Sequence, residues 1–264
     1  MSTIDQSGSD RITSKEHMSR TRLHIDSPLS ANSEIELTGD PARYIGRVLR
    51  LNPDDKLTLF DGSGGEYQAT ILSLGKNTVM LSIAGHVDRN VESPLAIHLL
   101  QGISRGDRMD VVVQKVTELG VQRITPLITE YSVVKLEPKR AEKRLQHWRG
   151  IAACACEQSG RNVLPQVDTP QPLRNWLGEN IEVPGTRVIL KPGAEDSIRS
   201  INGDVCELIL LIGPEGGFSD AEYELAEATG FNAIGFGERI LRTETAALAA
   251  IAALQTLYGD LAPN

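Results

Sequence analysis

The chain has 264 residues, with 27 Lys plus Arg against 35 Asp plus Glu and a formal net charge of −8 at pH 7. That balance argues against a generic polyanion binder, because nucleic-acid affinity rests on cations that neutralise phosphates, but it leaves room for a local basic patch. A composition of 40% hydrophobic and 23% charged residues excludes disorder of the whole chain.

No apolar run approaches the roughly 20 residues that span a bilayer, and the first 18 residues lack the apolar core of a signal peptide. Three cysteines, an odd and small number, fit a reducing compartment, so a cytoplasmic location is expected.

Residues 1–18 are polar and read as a disordered tail without a functional role. From residue 19 to 92 the stretches EIELTG, KLTLFDGSGGEYQATILSLG and TVMLSIAG alternate with period two, the pattern of half-buried strands in a small β domain. Between them, DPARYIGRVLR reads as a helix capped by Asp40, with Pro41 at its first position. Ile45, Val48 and Leu49 then share one face, and Arg43, Arg47 and Arg50 line the other. Three arginines without an interleaved acid form either a solvated face or a row for phosphates. The glycine-rich FDGSGGEY is followed by an alternating strand rather than a helix, so it reads as a hairpin turn and not a nucleotide loop.

From residue 93 the pattern changes. AIHLLQGI, RITPLIT, RVIL, ELILLIGP and NAIGFG read as strands. They alternate with helices over DRMDVVVQKVTELG, RAEKRLQHWRGIAACACEQSG, DAEYELAEATG and a closing helix from Thr243 to Tyr258. Such alternation predicts an α/β domain with a mostly parallel sheet covered on both faces. Charge divides unevenly: residues 103–163 hold 11 bases against 7 acids, and residues 164–264 hold 6 against 15. No GxxxxGK[ST] or GxSxG motif occurs, and the histidines and Cys154 and Cys156 lack metal-ligand spacing, so no metal is expected.

The informative region is ELILLIGPEGGFSDAE. An apolar strand ends at Ile212 and runs into Gly213, Pro214, Glu215, Gly216 and Gly217, before a helix whose Ser219 and Glu222 form a capping box. Glycines at the carboxyl end of a strand let a ligand lie against bare backbone, at the edge where open α/β sheets bind ligands. A tight turn would require the same glycines. In LRTET, Thr243 or Thr245 can cap the closing helix, and Glu244 suits its positive end.

The motifs YIGRVLR with FDGSGG, ISRGDRMDVVVQKVTELGV, ACEQSGR, LIGPEGG and GERILRTETAALAAI together resemble the bacterial small-subunit ribosomal RNA uridine-N3 methyltransferases. These belong to the SPOUT class of S-adenosylmethionine enzymes. The resemblance implies a PUA-like β-barrel RNA-binding domain over residues 19–92 and a SPOUT α/β domain with a C-terminal trefoil knot over residues 93–264. It also implies a homodimer; the alanine-rich closing helix AALAAIAAL would suit close helix packing there, or forms a core helix within the domain. The reaction implied is methylation of N3 of one uridine of 16S ribosomal RNA, uridine 1498 in the family, within the assembled small subunit.

By the same resemblance, S-adenosylmethionine is held by Leu190, Lys191 and Pro192, by Leu211, Ile212, Gly213, Pro214, Glu215, Gly216 and Gly217, and by Phe236, Gly237, Ile240, Leu241, Arg242, Thr243, Thr245 and Ala246. Losing the N3 proton calls for an acceptor and a stabilising cation. Arg242, Glu244 and Glu215 are the candidates. Arg22, Arg43, Arg47 and Arg50 of the small domain, with Arg105, Arg108 and Arg161 of the larger one, are the candidate phosphate partners. Two alternatives stay open. A ribose 2′-O methyltransferase of the same class would carry a Ser-Leu-Asn-type motif where this chain has RTETAALAAI. A non-catalytic RNA-binding protein would not need the intact glycine loop.

Overall fold

The computed structural model describes residues 21–132 and 137–262; the N-terminal tail lies outside the described residues. Alternating apolar residues build the first sheet from β1 (Arg22–His24), β2 (Ser33–Thr38), β3 (Lys56–Phe60), β4 (Glu66–Leu74) and β5 (Thr78–Val87), in the order β1-β3-β4-β5-β2. Leu57, Leu59, Ile71, Leu81 and Ile83 meet in its core. FDGSGGEY joins β3 to β4, which pair antiparallel with Leu59 opposite Tyr67, so it is the expected hairpin turn.

The helix between β2 and β3 departs from expectation. Helix α1 (Gly39–Arg43) starts with Thr38 as its N-cap; Asp40 is not the cap but lies in the first turn and pairs with Arg43 at 3.3 Å. The next turn, Tyr44–Val48, widens to a π-helix in which the Leu49 amide reaches back five residues to the Tyr44 carbonyl. That extra residue per turn rotates Val48 off the buried face. Val48 is 65% exposed, while Ile45 is fully buried. Arg43 and Arg47 remain on the exposed side, and Arg50 follows in a left-handed conformation with φ of 53°.

The second sheet is parallel throughout. It comprises β6 (Ala96–Gly102), β7 (Arg123–Ile128), β8 (Gln166–Val167), β9 (Gln171–Pro172), β10 (Thr186–Leu190), β11 (Glu207–Ile212) and β12 (Asn232–Ile234). Its order is β12-β10-β11-β6-β7-β8, with β9 also on β7. Helices α2 (Arg108–Glu118), α3 (Pro138–Ser159) and α6 (Thr243–Tyr258) cover one face, and α4 (Leu173–Glu179) and α5 (Asp220–Ala228) the other. Burial on both faces explains the unbroken apolar run of β11. Leu208, Leu210 and Ile212 point to the first layer, Ile209 and Leu211 to the second.

Polar residues weld the two sheets together. Arg22 pairs with the buried Glu66 and hydrogen-bonds Asn162; Arg89 pairs with the same Glu66 at 3.4 Å and donates to the Gly160 carbonyl. Arg161, 3% exposed, grips both carboxylate oxygens of Glu92 and donates to the Thr117 and Val121 carbonyls at the end of α2. Arg22 and Arg161 were expected to meet RNA phosphate. That expectation is corrected: Arg161 is buried and Arg22 is largely covered, and both are committed to acids and carbonyls of the chain, where a charge without partners would be costly.

Candidate cofactor pocket

The loops that leave the carboxyl ends of β10, β11 and β12 converge with the start of α6 around a cavity of about 1020 Å³. Its walls hold Leu190, Lys191, Pro192, Ile212 through Gly217, Phe236, Gly237, and Ile240 through Glu244 with Ala246. Sixteen residues named from the sequence as cofactor ligands are thus brought together, from three loops spread along residues 190–246.

Two are not. Leu211 is fully buried among α4 and α5, because period-two alternation turns it away from the face that Ile212 presents. Thr245 is exposed on α6 and lies outside the cavity wall. Missed by sequence reasoning were Gly193 through Ser197, Tyr223, Gly235, Glu238 and Arg239. The turn-rich KPGAEDS that follows β10 carried the only available signal.

The glycine loop is a tight turn as well as a ligand wall. Gly217 donates to the Pro214 carbonyl at 2.9 Å and sits at φ of 71°, a conformation that only glycine adopts cheaply. Ser219 and Glu222 form the expected capping box of α5. The expected cap of α6 is different: Arg242 occupies the N-cap position, and neither Thr243 nor Thr245 caps through its side chain. The Thr243 hydroxyl instead donates to the Gly213 carbonyl at 2.6 Å, and the buried Gln101 amide donates to that hydroxyl at 2.9 Å.

Charged groups gather at the mouth. Glu215 accepts from the Arg105 amide at 2.9 Å and from the Arg108 guanidinium at 2.5 Å. Burial pushes its carboxyl up, but these donors together with the loop backbone outweigh that and hold it below the usual carboxylate range. Arg108 also approaches Glu244 at 3.7 Å, while the other Glu244 oxygen is buried without a hydrogen-bond partner among the described residues. Arg242 is exposed on the cavity wall. Lys191 is engaged by Glu227 at 3.1 Å and lies over the Tyr223 ring. Arg105 is exposed beside the mouth, and Arg43, Arg47 and Arg50 are exposed on the small domain.

Apolar walls and open loop backbone, with acids (Glu195, Asp196, Glu238) and bases (Lys191, Arg239, Arg242) in the same lining, suit a nucleoside-sized ligand that carries both polar and apolar parts. An RNA methyltransferase domain family matches residues 91–255, and an RNA methyltransferase PUA domain matches residues 37–83. Ribosomal RNA small subunit methyltransferase E of Buchnera aphidicola from Schizaphis graminum is 38% identical over 91% of this chain and 97% of its own.

The chain belongs to this methyltransferase family.

The Bacillus subtilis member is 33% identical, covering 85% of this chain and 92% of its own. The Neisseria gonorrhoeae ribosomal RNA small subunit methyltransferase E, solved bound to S-adenosyl methionine, superposes with a TM-score of 0.84 at 40% identity, covering 93% of this chain and 100% of that one. A Legionella pneumophila protein solved with the bound cofactor SAM gives 0.86 at 40%, covering 91% and 99%. The fold is therefore that of the SPOUT methyltransferases, with a PUA-like domain ahead of the α/β domain. No helix among the described residues is long and apolar enough to cross a membrane.

Proposed function

We propose that this protein methylates N3 of a uridine in 16S ribosomal RNA with S-adenosylmethionine as donor, acting as a cytoplasmic homodimer on the assembled small subunit. The observation that carries the reading is the Glu244, Arg108 and Arg242 constellation at the mouth of the three-loop cavity. Gly213 through Gly217, Leu190 through Pro192, and Phe236 through Leu241 would hold the cofactor, mostly by backbone and apolar contact. When bound, S-adenosylmethionine supplies an electrophilic methyl group.

Uracil N3 carries a proton and is a poor nucleophile until that proton is lost. Glu215 is ion-paired with Arg108 and held below the usual carboxylate range, which favours Glu244, with one unpartnered buried oxygen, as the proton acceptor. The N3–H electron pair stays on the ring, and the charge that develops on O2 and O4 is met by Arg242. Positioning within the cavity supplies up to roughly 7 to 11 kcal/mol of barrier lowering. Arg105 and Arg108 flank the entering strand, and Arg43, Arg47 and Arg50 give the residue 19–92 domain a phosphate-facing row.

A C-terminal knot within residues 93–264 is part of the same reading. Gly235 passes so close to the β10 loop that its amide donates to the Asp196 carbonyl at 2.7 Å, and a Cβ there would lie 2.7 Å from the Ala194 carbonyl. Close threading of this kind suits a chain drawn through a loop. Leu257, half exposed near the end of α6, offers apolar surface for a second copy.

Calorimetry with S-adenosylmethionine separates this reading from a non-catalytic RNA binder, for which no heat is expected. Methylation of isolated small subunits, followed by nucleoside mass spectrometry, separates it from ribose methylation.

A further inference from the structure

Tyr131 is an exposed aromatic in a chain with few aromatic residues, and it stands against the glycine loop. A Cβ placed on Gly216 would lie 2.9 Å from Tyr131 Cβ and 3.7 Å from Cγ, so the base of this side chain rests on the outer face of the cavity wall. The residue is nevertheless 48% exposed. Its position is tightly built. The Ser132 amide donates to the Thr129 carbonyl at 3.1 Å, the Ser132 hydroxyl accepts from the Thr129 amide at 3.0 Å, and the Glu130 amide donates to Glu222 at 2.8 Å. Glu222 is the buried carboxylate that also caps α5. An aromatic fixed by backbone bonds on both sides, yet left open to solvent, is preorganised for contact rather than for packing.

We infer that Tyr131 is a stacking platform for a nucleobase of the RNA next to the methylated nucleotide. The inference rests on the proposed RNA substrate. A base that leaves its stack to enter the cavity exposes its neighbour, and an aromatic face just outside the entrance replaces the lost stacking partner. Glu215, adjacent to Gly216, accepts from the Arg105 backbone amide and pairs with the Arg108 guanidinium, so two arginine positions, Arg105 exposed, border the same loop. A nucleobase, rather than an apolar protein surface, fits that combination of one aromatic face and flanking guanidinium groups.

The test compares Tyr131→Ala, Tyr131→Phe and Tyr131→Trp, using small subunits isolated from cells that lack the activity. Tyr131→Ala should lower kcat/KM about tenfold, as expected for loss of one base-aromatic stack. Phe and Trp should retain near-native rates, and calorimetric affinity for S-adenosylmethionine should stay unchanged in all three. A native rate in the Ala variant overturns the inference, as does a loss in Tyr131→Phe matching that in Ala. Weakened cofactor affinity in Tyr131→Ala would make the residue a prop for Gly216, and an altered mass in solution would make it a contact between copies; both also overturn it. The nucleoside product is read separately, so methylation at another atom would contradict the proposed function and leave the stacking result standing.

Discussion

The Thr243 hydroxyl and the Gly213 carbonyl, 30 positions apart in sequence, are joined by a hydrogen bond of 2.6 Å. It ties the loop after β11 to the first residue of α6, and the buried Gln101 amide completes the chain. Thr243→Val keeps the shape and removes the donor, leaving the Gly213 carbonyl and the Gln101 amide short of partners. The expected cost is about 1 to 3 kcal/mol, read as an affinity for S-adenosylmethionine weaker by about 5- to 150-fold in calorimetry. Unchanged affinity would mean that the two loops hold their places independently.

Gly217 makes a second prediction at the same wall. A Cβ there meets no atom within 4 Å, so substitution is opposed by the φ of 71° and by bulk added to the cavity lining, not by a clash. Backbone strain of about 1 to 2 kcal/mol is expected for a non-glycine residue. Gly217→Val should abolish measurable cofactor binding while leaving the far-ultraviolet circular dichroism spectrum native. Native affinity in that variant would place the ligand elsewhere.

The two groups of arginines should separate cleanly. Arg161→Met strips the part-buried Glu92 carboxylate and two carbonyls of their partner, a change expected to cost about 3 kcal/mol and to lower the melting temperature by roughly 6 °C. Replacing Arg43, Arg47 and Arg50 together by Gln should leave the melting temperature unchanged and weaken subunit binding, with a shallower salt dependence. Loss of stability in the triple variant would return those side chains to a structural role.

His98 supplies a pH signature far from the pocket. Burial, reinforced by Arg123 and only partly opposed by Asp168, pushes its imidazole from 6.5 down to about 4. Between these values the unfolded chain binds the proton and the folded chain does not, so stability rises with pH across the window. It is fully present above about 6.5 and is lost as pH falls towards 4, by up to roughly 3 kcal/mol. Denaturant unfolding at pH 5 and pH 7 should show that slope, and His98→Gln should flatten it. An equal slope in the variant would assign the dependence to the carboxylates.

Much of this was legible in the chain because local rules and tertiary structure agree. The closing helix runs from Thr243 to Tyr258 as its periodicity requires, and Ser219 and Glu222 cap α5 as their spacing requires. The failures share a cause: the deciding partner lies far away in sequence. Nothing in an unbroken apolar strand says that Leu211 faces α4 and α5 while Ile212 faces the cavity. An arginine destined for RNA looks like Arg22, whose acid is 44 residues away, or like Arg161, whose acid is 69 residues away. The π turn that expels Val48 and the loop from Gly193 to Ser197 carry no periodic signal at all.

The central claim is the atom that receives the methyl group. Small subunits from a strain lacking this activity, incubated with the protein and S-adenosylmethionine and digested to nucleosides, should yield 3-methyluridine by mass spectrometry. Glu244→Gln should reduce its rate of formation by about a hundredfold or more with cofactor affinity intact. A 2′-O-methyl nucleoside in its place, or no methylated product from a protein that still binds cofactor, would contradict the account.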